Sequence, residues 1–299
     1  MDQRKMYQWI SALVRDKPDQ DSKRRTSPLS QEVMTRYGCG YVSKNNAIFS
    51  AEHKRRLRQQ VIDELGLDPY MIEQLPDDRL EMAKYHHNEK LAAKTAGNDH
   101  LLLNSADGVL RINGLEMQLY PESISSAGLM CLNSGIRSVE HDTVVIVENL
   151  AIMSLCHDWQ IPAIDNHSLW VYRGDYKTGA TAGTCCDFIK RFGDGKTVVV
   201  FSDMDPKGLE IALTFPFAKF WLGPCEASRR QLLNTRYANP DGYDEQSAAV
   251  SYLLRQSDSN LLSEPFKDLI SVIRDQHSSF RQEQTYSHDV PLELVSIWA

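Results

Sequence analysis

The chain has 299 residues, 42% of them hydrophobic and 24% charged, which is the composition of a globular protein long enough for two domains and excludes a disordered or fibrous one. No run of eighteen apolar residues occurs, and MDQRKMYQWISALVRDKPDQ is too broken by charge for a signal peptide, so a cytoplasmic protein without membrane contact is expected. The formal charge of −7 hides an asymmetry: residues 1–60 carry 13 Lys/Arg against 6 Asp/Glu, or +7, and the remainder 20 against 34, or −14. A basic arm steers a protein toward phosphates while an acidic pocket holds metal, although a basic segment is as readily a solvated face.

Residues 5–15 set Met6, Ile10, Leu13 and Val14 at helical spacing and predict an amphipathic helix. A polar loop follows, then LSQEVMTRYG, a short helix stopped at Gly38. GYVSKNNAIFS reads as strand around an Asn45-Asn46 turn. AEHKRRLRQQVIDELGL is a helix capped by Ser50, with Leu57, Val61 and Leu65 on one face. Its Lys54, Arg55, Arg56 and Arg58 are expected on the exposed side as contacts to a DNA backbone, in the outline of a winged helix; a solvated helix is the alternative. Residues 66–105, interrupted by Pro69 and Pro76, read as a linker or accessory arm, and Asn113-Gly114 inside VLRINGLEMQLY marks a hairpin. His86 and His87, adjacent on a helix, face different ways and do not share a metal.

From residue 143 the texture changes. TVVIVEN and TVVVFSDMD are continuous β-branched runs that end in acidic residues, SLWVYRG lies between them, and helix-like LAIMSLCHDW and PKGLEIALTFPF follow the two acidic ends. Such runs are strands buried on both faces, and their alternation with helices predicts an α/β domain on a parallel sheet. The expected division is 1–105, an N-terminal α+β region for DNA or a partner; 106–139, a connecting hairpin segment; and 140–299, the α/β domain. Of the six cysteines none forms a CxxC pair or a zinc spacing, and Cys185-Cys186 reads as two small buried residues rather than a redox pair.

Ligands of parallel α/β sheets gather at the carboxyl ends of the strands, where Glu148 and the pair Asp203 and Asp205 stand. Carboxylates crowded there repel unless a divalent cation neutralises them, and Mg²⁺ or Mn²⁺ suits such oxygen donors. The alternative is that these acids cap the helices that follow.

The pattern VIVENLAIM followed by VFSDMDPKGLEIA resembles the Toprim arrangement, a Glu on one strand and DxD on a later one. Glu-Asn after the first strand and SDxDxxGxxI after the later one are similar to the Toprim domains of the Wadjet nuclease subunit JetD and of the A subunit of type IIB topoisomerases. RQEQ at 281–284 resembles the LEQER run of JetD-like chains, and Glu283 carries over from it as a further acidic metal or network residue. The resemblance covers roughly 140–290. Ser202 replaces the usual Gly, Tyr172-Arg173 a more glycine-rich turn in YRGDYKTG, and no Arg follows Gln282-Glu283-Gln284.

The resemblance implies a Toprim domain that binds Mg²⁺ through Glu148, Asp203 and Asp205 and hydrolyses DNA phosphodiesters, with an SMC/condensin-like complex presenting the DNA in plasmid or phage defence. Lys207, just past the DxD, is placed either to touch phosphate or as a solvated lysine. A homodimer follows by analogy only. One rival is a topoisomerase-like transesterase using Tyr37 or Tyr41; another is an inactive DNA- or partner-binding adaptor. No GxxxxGK[ST] loop and no GxSxG elbow occurs, which argues against ATP hydrolysis and serine hydrolysis.

Overall fold

The computed structural model describes residues 3–88, 91–92, 98–119, 127–159, 161, 164–175 and 178–299. Two compact units divide at Ala96/Gly97. The division expected at 105/106 lies inside neither linker nor loop but at the end of a sheet strand, described below.

The N-terminal unit is α+β. Helix α1 (Gln3–Arg15) buries Met6, Tyr7, Ile10, Leu13 and Val14, as its spacing predicts. Strand β1 (Ser22–Arg25) precedes α2 (Pro28–Tyr37), capped by Ser27 and ended by Gly38 in the left-handed region that glycine tolerates. The hairpin β2 (Tyr41–Ser43) and β3 (Asn46–Phe49) turns at Lys44-Asn45, one residue earlier than expected, and completes an antiparallel sheet of order β1-β3-β2. Helix α3 (Ala51–Leu65) starts at Ser50, whose hydroxyl accepts the His53 N–H, and buries Leu57, Val61 and Leu65.

The described residues between 66 and 92 do not form a linker. They are strapped along α1: the Tyr7 hydroxyl donates to Ile72 O at 2.7 Å, Arg15 Nε to Pro69 O at 2.7 Å, and Arg4 to the carbonyls of Leu75, Pro76 and Leu91. Leu67, Leu75, Leu91 and, in the short α4 (Arg79–Ala83), Met82 join the same core. The polar texture of this stretch reflects a backbone bound by side chains of another element as well as by its own turns.

Lys54 is likewise corrected. It is 2% exposed, and its Nζ donates to Asp16 O, Lys17 O and Ser22 Oγ at 2.7–2.9 Å, closing the carboxyl end of α1. Burial lowers its pKa from the usual value, opposed by Asp16, Asp21 and Asp19. It stands three residues before Leu57 and seven before Val61, which is the buried face of α3. Lys54→Met removes three charge-assisted hydrogen bonds, although Asp16 O keeps the Ser22 hydroxyl and Lys17 O the Gln20 N–H. It is expected to cost roughly 2 kcal/mol, read as a fall of several degrees in the melting of this unit; an unshifted melt contradicts the assignment.

The second unit carries a seven-stranded sheet of order β12-β11-β10-β8-β9-β4-β7. In chain order its elements are β4 (His100–Ser105), the hairpin β5 (Val109–Ile112) and β6 (Leu115–Gln118), β7 (Leu129–Leu132), β8 (Thr143–Val147), α5 (Leu150–Met153), β9 (Leu169–Tyr172), α6 (Ala182–Phe192), β10 (Thr197–Phe201), α7 (Pro206–Thr214) and β11 (Ala218–Pro224). Helices α8 (Glu226–Leu233), α9 (Pro240–Asp244), α10 (Ser247–Ser257), α11 (Glu264–Gln276) and α12 (Gln282–Ser287) follow, then β12 (Leu292–Ser296). Asn113 and Gly114, both at positive φ, make the β5–β6 turn where the dipeptide predicts it.

Strands β9, β8, β10 and β11 are parallel neighbours, while β4, β7 and β12 extend the sheet with antiparallel pairings. β4 pairs with both β9 and β7, so residues 100–105 belong to this sheet and not to the N-terminal region. Alternate residues of the β-branched runs enter two cores: Val144, Ile146, Val198 and Val200 on one face, Val145, Val147, Val199 and Phe201 on the other. A run apolar at every position is what two covered faces require. Among the described residues no helix is long and apolar enough to cross a membrane.

Candidate metal centre

The chain leaves β8 for β9 on one side, and β10 lies on its other side, so the strand order reverses between β8 and β10. Open α/β sheets bind ligands in the crevice at the carboxyl ends of such a strand pair. Val147 is in register with Phe201, which places Glu148 beside the Ser202–Asp203 step. The Glu148 N–H donates to Phe201 O at 3.0 Å, and the Asp203 N–H donates to Glu148 Oε2 at 3.2 Å. Glu148 and Asp203 therefore stand on one rim of the sheet.

Helix capping does not account for this pair. Asn149, not Glu148, caps α5 by accepting the Ala151 N–H at 2.9 Å. Asp205, not Asp203, caps α7: its Oδ1 accepts the Gly208 N–H at 2.7 Å and its Oδ2 accepts from Gln246 Nε2 at 2.7 Å. Asp203 Oδ1 accepts the Gln282 N–H at 2.8 Å, while its other oxygen has no hydrogen bond among the described residues.

Burial and mutual repulsion show in the acid strengths. Asp203 is raised to about 8, first by burial and then by the neighbouring Glu148 carboxylate, with Asp205 and Glu283 adding to the push. Glu148 is also raised, by burial above all, against the lowering effect of Arg173. Glu283 approaches through α12: its Oε1 accepts from Asn149 Nδ2, and its Oε2 is buried with no partner. Two more buried polar atoms here lack partners, Gln282 Nε2 and Arg173 Nε.

The residues read from the sequence thus separate. Among the described residues no group of three His, Cys, Asp or Glu is arranged to hold a metal ion. Glu148 and Asp203 converge, Glu283 lies alongside through Asn149, and Asp205 is spent on the α7 cap and Gln246. A two-carboxylate donor set still fits Mg²⁺, which keeps several waters and is usually held by one or two carboxylates with substrate phosphate completing the shell. Lys207 is exposed, its Nζ 2.6 Å from Glu210, and its charge lowers the pKa of Glu148.

Of the other expected contacts, Arg58 is held by Asp68 at 2.8 and 2.5 Å and stacks over Tyr70, so its fork is filled. Arg55 and Arg56 are exposed and make no ion pair among the described residues, as are Lys23, Arg25 and Lys44. Tyr37 is buried, donates to Glu64 Oε2 at 2.9 Å and is pushed up to about 12 by burial above all. Tyr41 is exposed on the β2–β3 hairpin. Tyr176 and Lys177 of the YRGDYKTG turn lie outside the described residues. All six cysteines are free, and Cys185 is buried.

Sequence reading missed Gln246, Gln282 and Arg173. Gln246 carries no local signal, and Gln282 was marked only as part of the RQEQ run; α10 and α12 bring them to the DxD loop from 41 and 79 residues away. Gly208 was legible as part of the motif, and the structure supplies its reason: a Cβ there would stand 2.1 Å from Asp203 O. Gly208→Ala is expected to push the DxD loop off Glu148 and cost about 2–3 kcal/mol; an unchanged melting temperature contradicts this packing.

An α/β domain with a carboxylate pair at the reversal point of its sheet is the class of protein these features define. The chain belongs to the family described as a domain of unknown function, DUF7281, whose model matches residues 98–294, nearly the whole second unit. No curated protein matches it.

Proposed function

We propose that the second unit is a Toprim-type domain that hydrolyses DNA phosphodiesters with a divalent cation. The observation that carries this reading is the Glu148–Asp203 pair, two half-buried carboxylates from adjacent parallel strands, each driven toward its neutral form and each with an oxygen free of hydrogen bonds among the described residues. Glu148 Oε1 and the free Asp203 oxygen would hold the ion, with Asp205 orienting the loop through Gly208 and Gln246. A bound Mg²⁺ or Mn²⁺ supplies Lewis-acid polarisation of the phosphate and lowers the pKa of water. Hydrolysis adds the oxygen of one water to phosphorus and breaks one P–O ester bond, leaving a phosphomonoester and an alcohol that takes up a proton. The Gln282 N–H at the start of α12 holds Asp203 Oδ1, and the Gln282 and Glu283 side chains accept from Asn149 beside Glu148, so α12 would help fix the loop before substrate arrives.

The N-terminal unit brings free cations for the DNA backbone: Arg55 and Arg56 of the expected set, with Lys23, Arg25 and Lys44 in addition. By the JetD resemblance the chain acts in the cytoplasm with an SMC/condensin-like complex in plasmid or phage defence. The test is nicking or linearisation of circular plasmid by the full chain, alone and with such a complex, with Mg²⁺ or Mn²⁺ against chelator. Metal-dependent cutting supports the reading. Equal products with metal and with chelator favour an inactive adaptor, the reading supported by the full engagement of Asp205 as a helix cap.

A further inference from the structure

Arginines elsewhere in the chain show what a committed guanidinium looks like. Arg58 places two donors on Asp68, Arg15 reaches Pro69 O, Tyr70 O and Glu73, and Arg191 binds Asn133 and Ile136 O. Arg173 does nothing of the kind. Its closest charged atom is Glu148 Oε1, 3.7 Å from Nη2, which is beyond hydrogen-bond length, and its Nε is buried without a partner. No side-chain hydrogen bond is made by Arg173 to any described residue, although the group carries five donors.

The backbone holds this idle group in one place. Arg173 is the first residue past β9, and its N–H donates to Val147 O at 2.8 Å, which continues the strand pairing to the level of Glu148. Gly174 follows at φ +92, where a Cβ would lie 2.5 Å from Thr181 C, and the Asp175 N–H closes the turn onto Ala180 O at 2.9 Å. Arg173, Glu148 and the Ser202–Asp203 step therefore stand on three neighbouring strand ends, in the order cation, carboxylate, carboxylate.

We propose that Arg173 is the phosphate-binding residue of this rim, its planar fork taking a non-bridging oxygen of the phosphodiester beside the Glu148–Asp203 pair. The reading of that pair as a metal centre is the one given above, and this assignment rests on it for catalysis but not for anion binding. Two facts set it apart from a structural ion pair: the distance to Glu148 is too long for a fork-to-fork bond, and the side-chain donors are unused among the described residues, while its backbone is held at the strand end by the bond to Val147 O. A cationic fork next to two carboxylates gives a phosphate one binding edge that needs no metal and a second that does.

The test uses the full chain and its Arg173→Ala and Arg173→Lys variants, with inorganic phosphate and Mn²⁺ as separate probes of thermal stability and plasmid nicking as the activity readout. Arg173→Ala is expected to keep the Mn²⁺-induced rise in melting temperature, to lose the phosphate-induced rise, and to nick about a hundredfold more slowly, with added guanidinium restoring part of the rate. Arg173→Lys, which keeps the charge and the fold, is expected to fall between. Unchanged phosphate response and nicking in Arg173→Ala overturn the proposal, as does a joint loss of the Mn²⁺ and phosphate responses in both variants, which would make Arg173 a mere support for Glu148. A wild type that responds to phosphate through Arg173 but neither binds Mn²⁺ nor nicks would leave this assignment standing and remove the metal centre.

Discussion

Glu148→Gln is expected to lower metal-dependent nicking by about a thousandfold while leaving the fold intact. On the proposed reading Glu148 Oε1 would bind the cation while its Oε2 accepts the Asp203 N–H, so one side chain would both bind and align. Loss of Lewis-acid stabilisation is worth several kcal/mol, and each 1.4 kcal/mol is about tenfold in rate. Glutamine keeps the oxygen that accepts the Asp203 N–H, so the strand ends hold. The variant is checked by initial nicking rates over a Mg²⁺ series, with circular dichroism to confirm folding. A rate within about threefold of wild type contradicts a metal role for Glu148, and recovery at high Mg²⁺ assigns the loss to affinity.

Asp203→Asn is expected to raise stability at neutral and alkaline pH. Asp203 is raised to about 8, first by burial and then by Glu148, from the usual carboxylate range near 4. A group whose folded pKa is raised gives stability that is full below its unfolded pKa and is lost as pH climbs through its folded value. In chelator the wild type therefore loses stability from about pH 4 toward pH 8, and the asparagine variant, which never takes the charge, does not lose that part. The difference at pH 8 is expected at roughly 5 kcal/mol, a gap of roughly 10–20 °C in melting temperature. Mg²⁺ narrows the gap by replacing the proton in the wild type and has little effect on the variant. Parallel melting profiles of the two proteins from pH 4 to 9 contradict a repelling buried pair.

Much of this was legible because local chemistry carried it. The continuous runs Thr143–Val147 and Thr197–Phe201 announced strands covered on both faces, and their acidic ends announced the rim. Asn113-Gly114 and Ser50 named a turn and a helix start whose reasons are confined to a few residues. The strands β4, β7 and β12 were not legible, since an antiparallel edge is fixed by partners far along the chain: Leu103 pairs with Val171, Leu222 with Leu294. The same distance hid Gln246 and the bond of the Gln282 N–H to Asp203, which set what Asp205 and Asp203 can do.

Lys54 teaches a different lesson. Its charge suggested an outward position, yet its spacing from Leu57 and Val61 put it on the buried face, and three oxygen acceptors make that burial tolerable. Periodicity outranked residue type there. Asp205 reversed the expected order of roles in a similar way: of the two acids in the DxD step, the second builds the helix and the first is left with an uncommitted oxygen.

Crystals of the full chain soaked in Mn²⁺ and measured for anomalous scattering address the carboxylate pair most directly. A peak about 2.1 Å from an oxygen of Glu148 and an oxygen of Asp203, absent in Asp203→Asn, is the predicted result. A fully occupied Mn²⁺ elsewhere with none between these two side chains, or a peak there that survives Asp203→Asn unchanged, would contradict it.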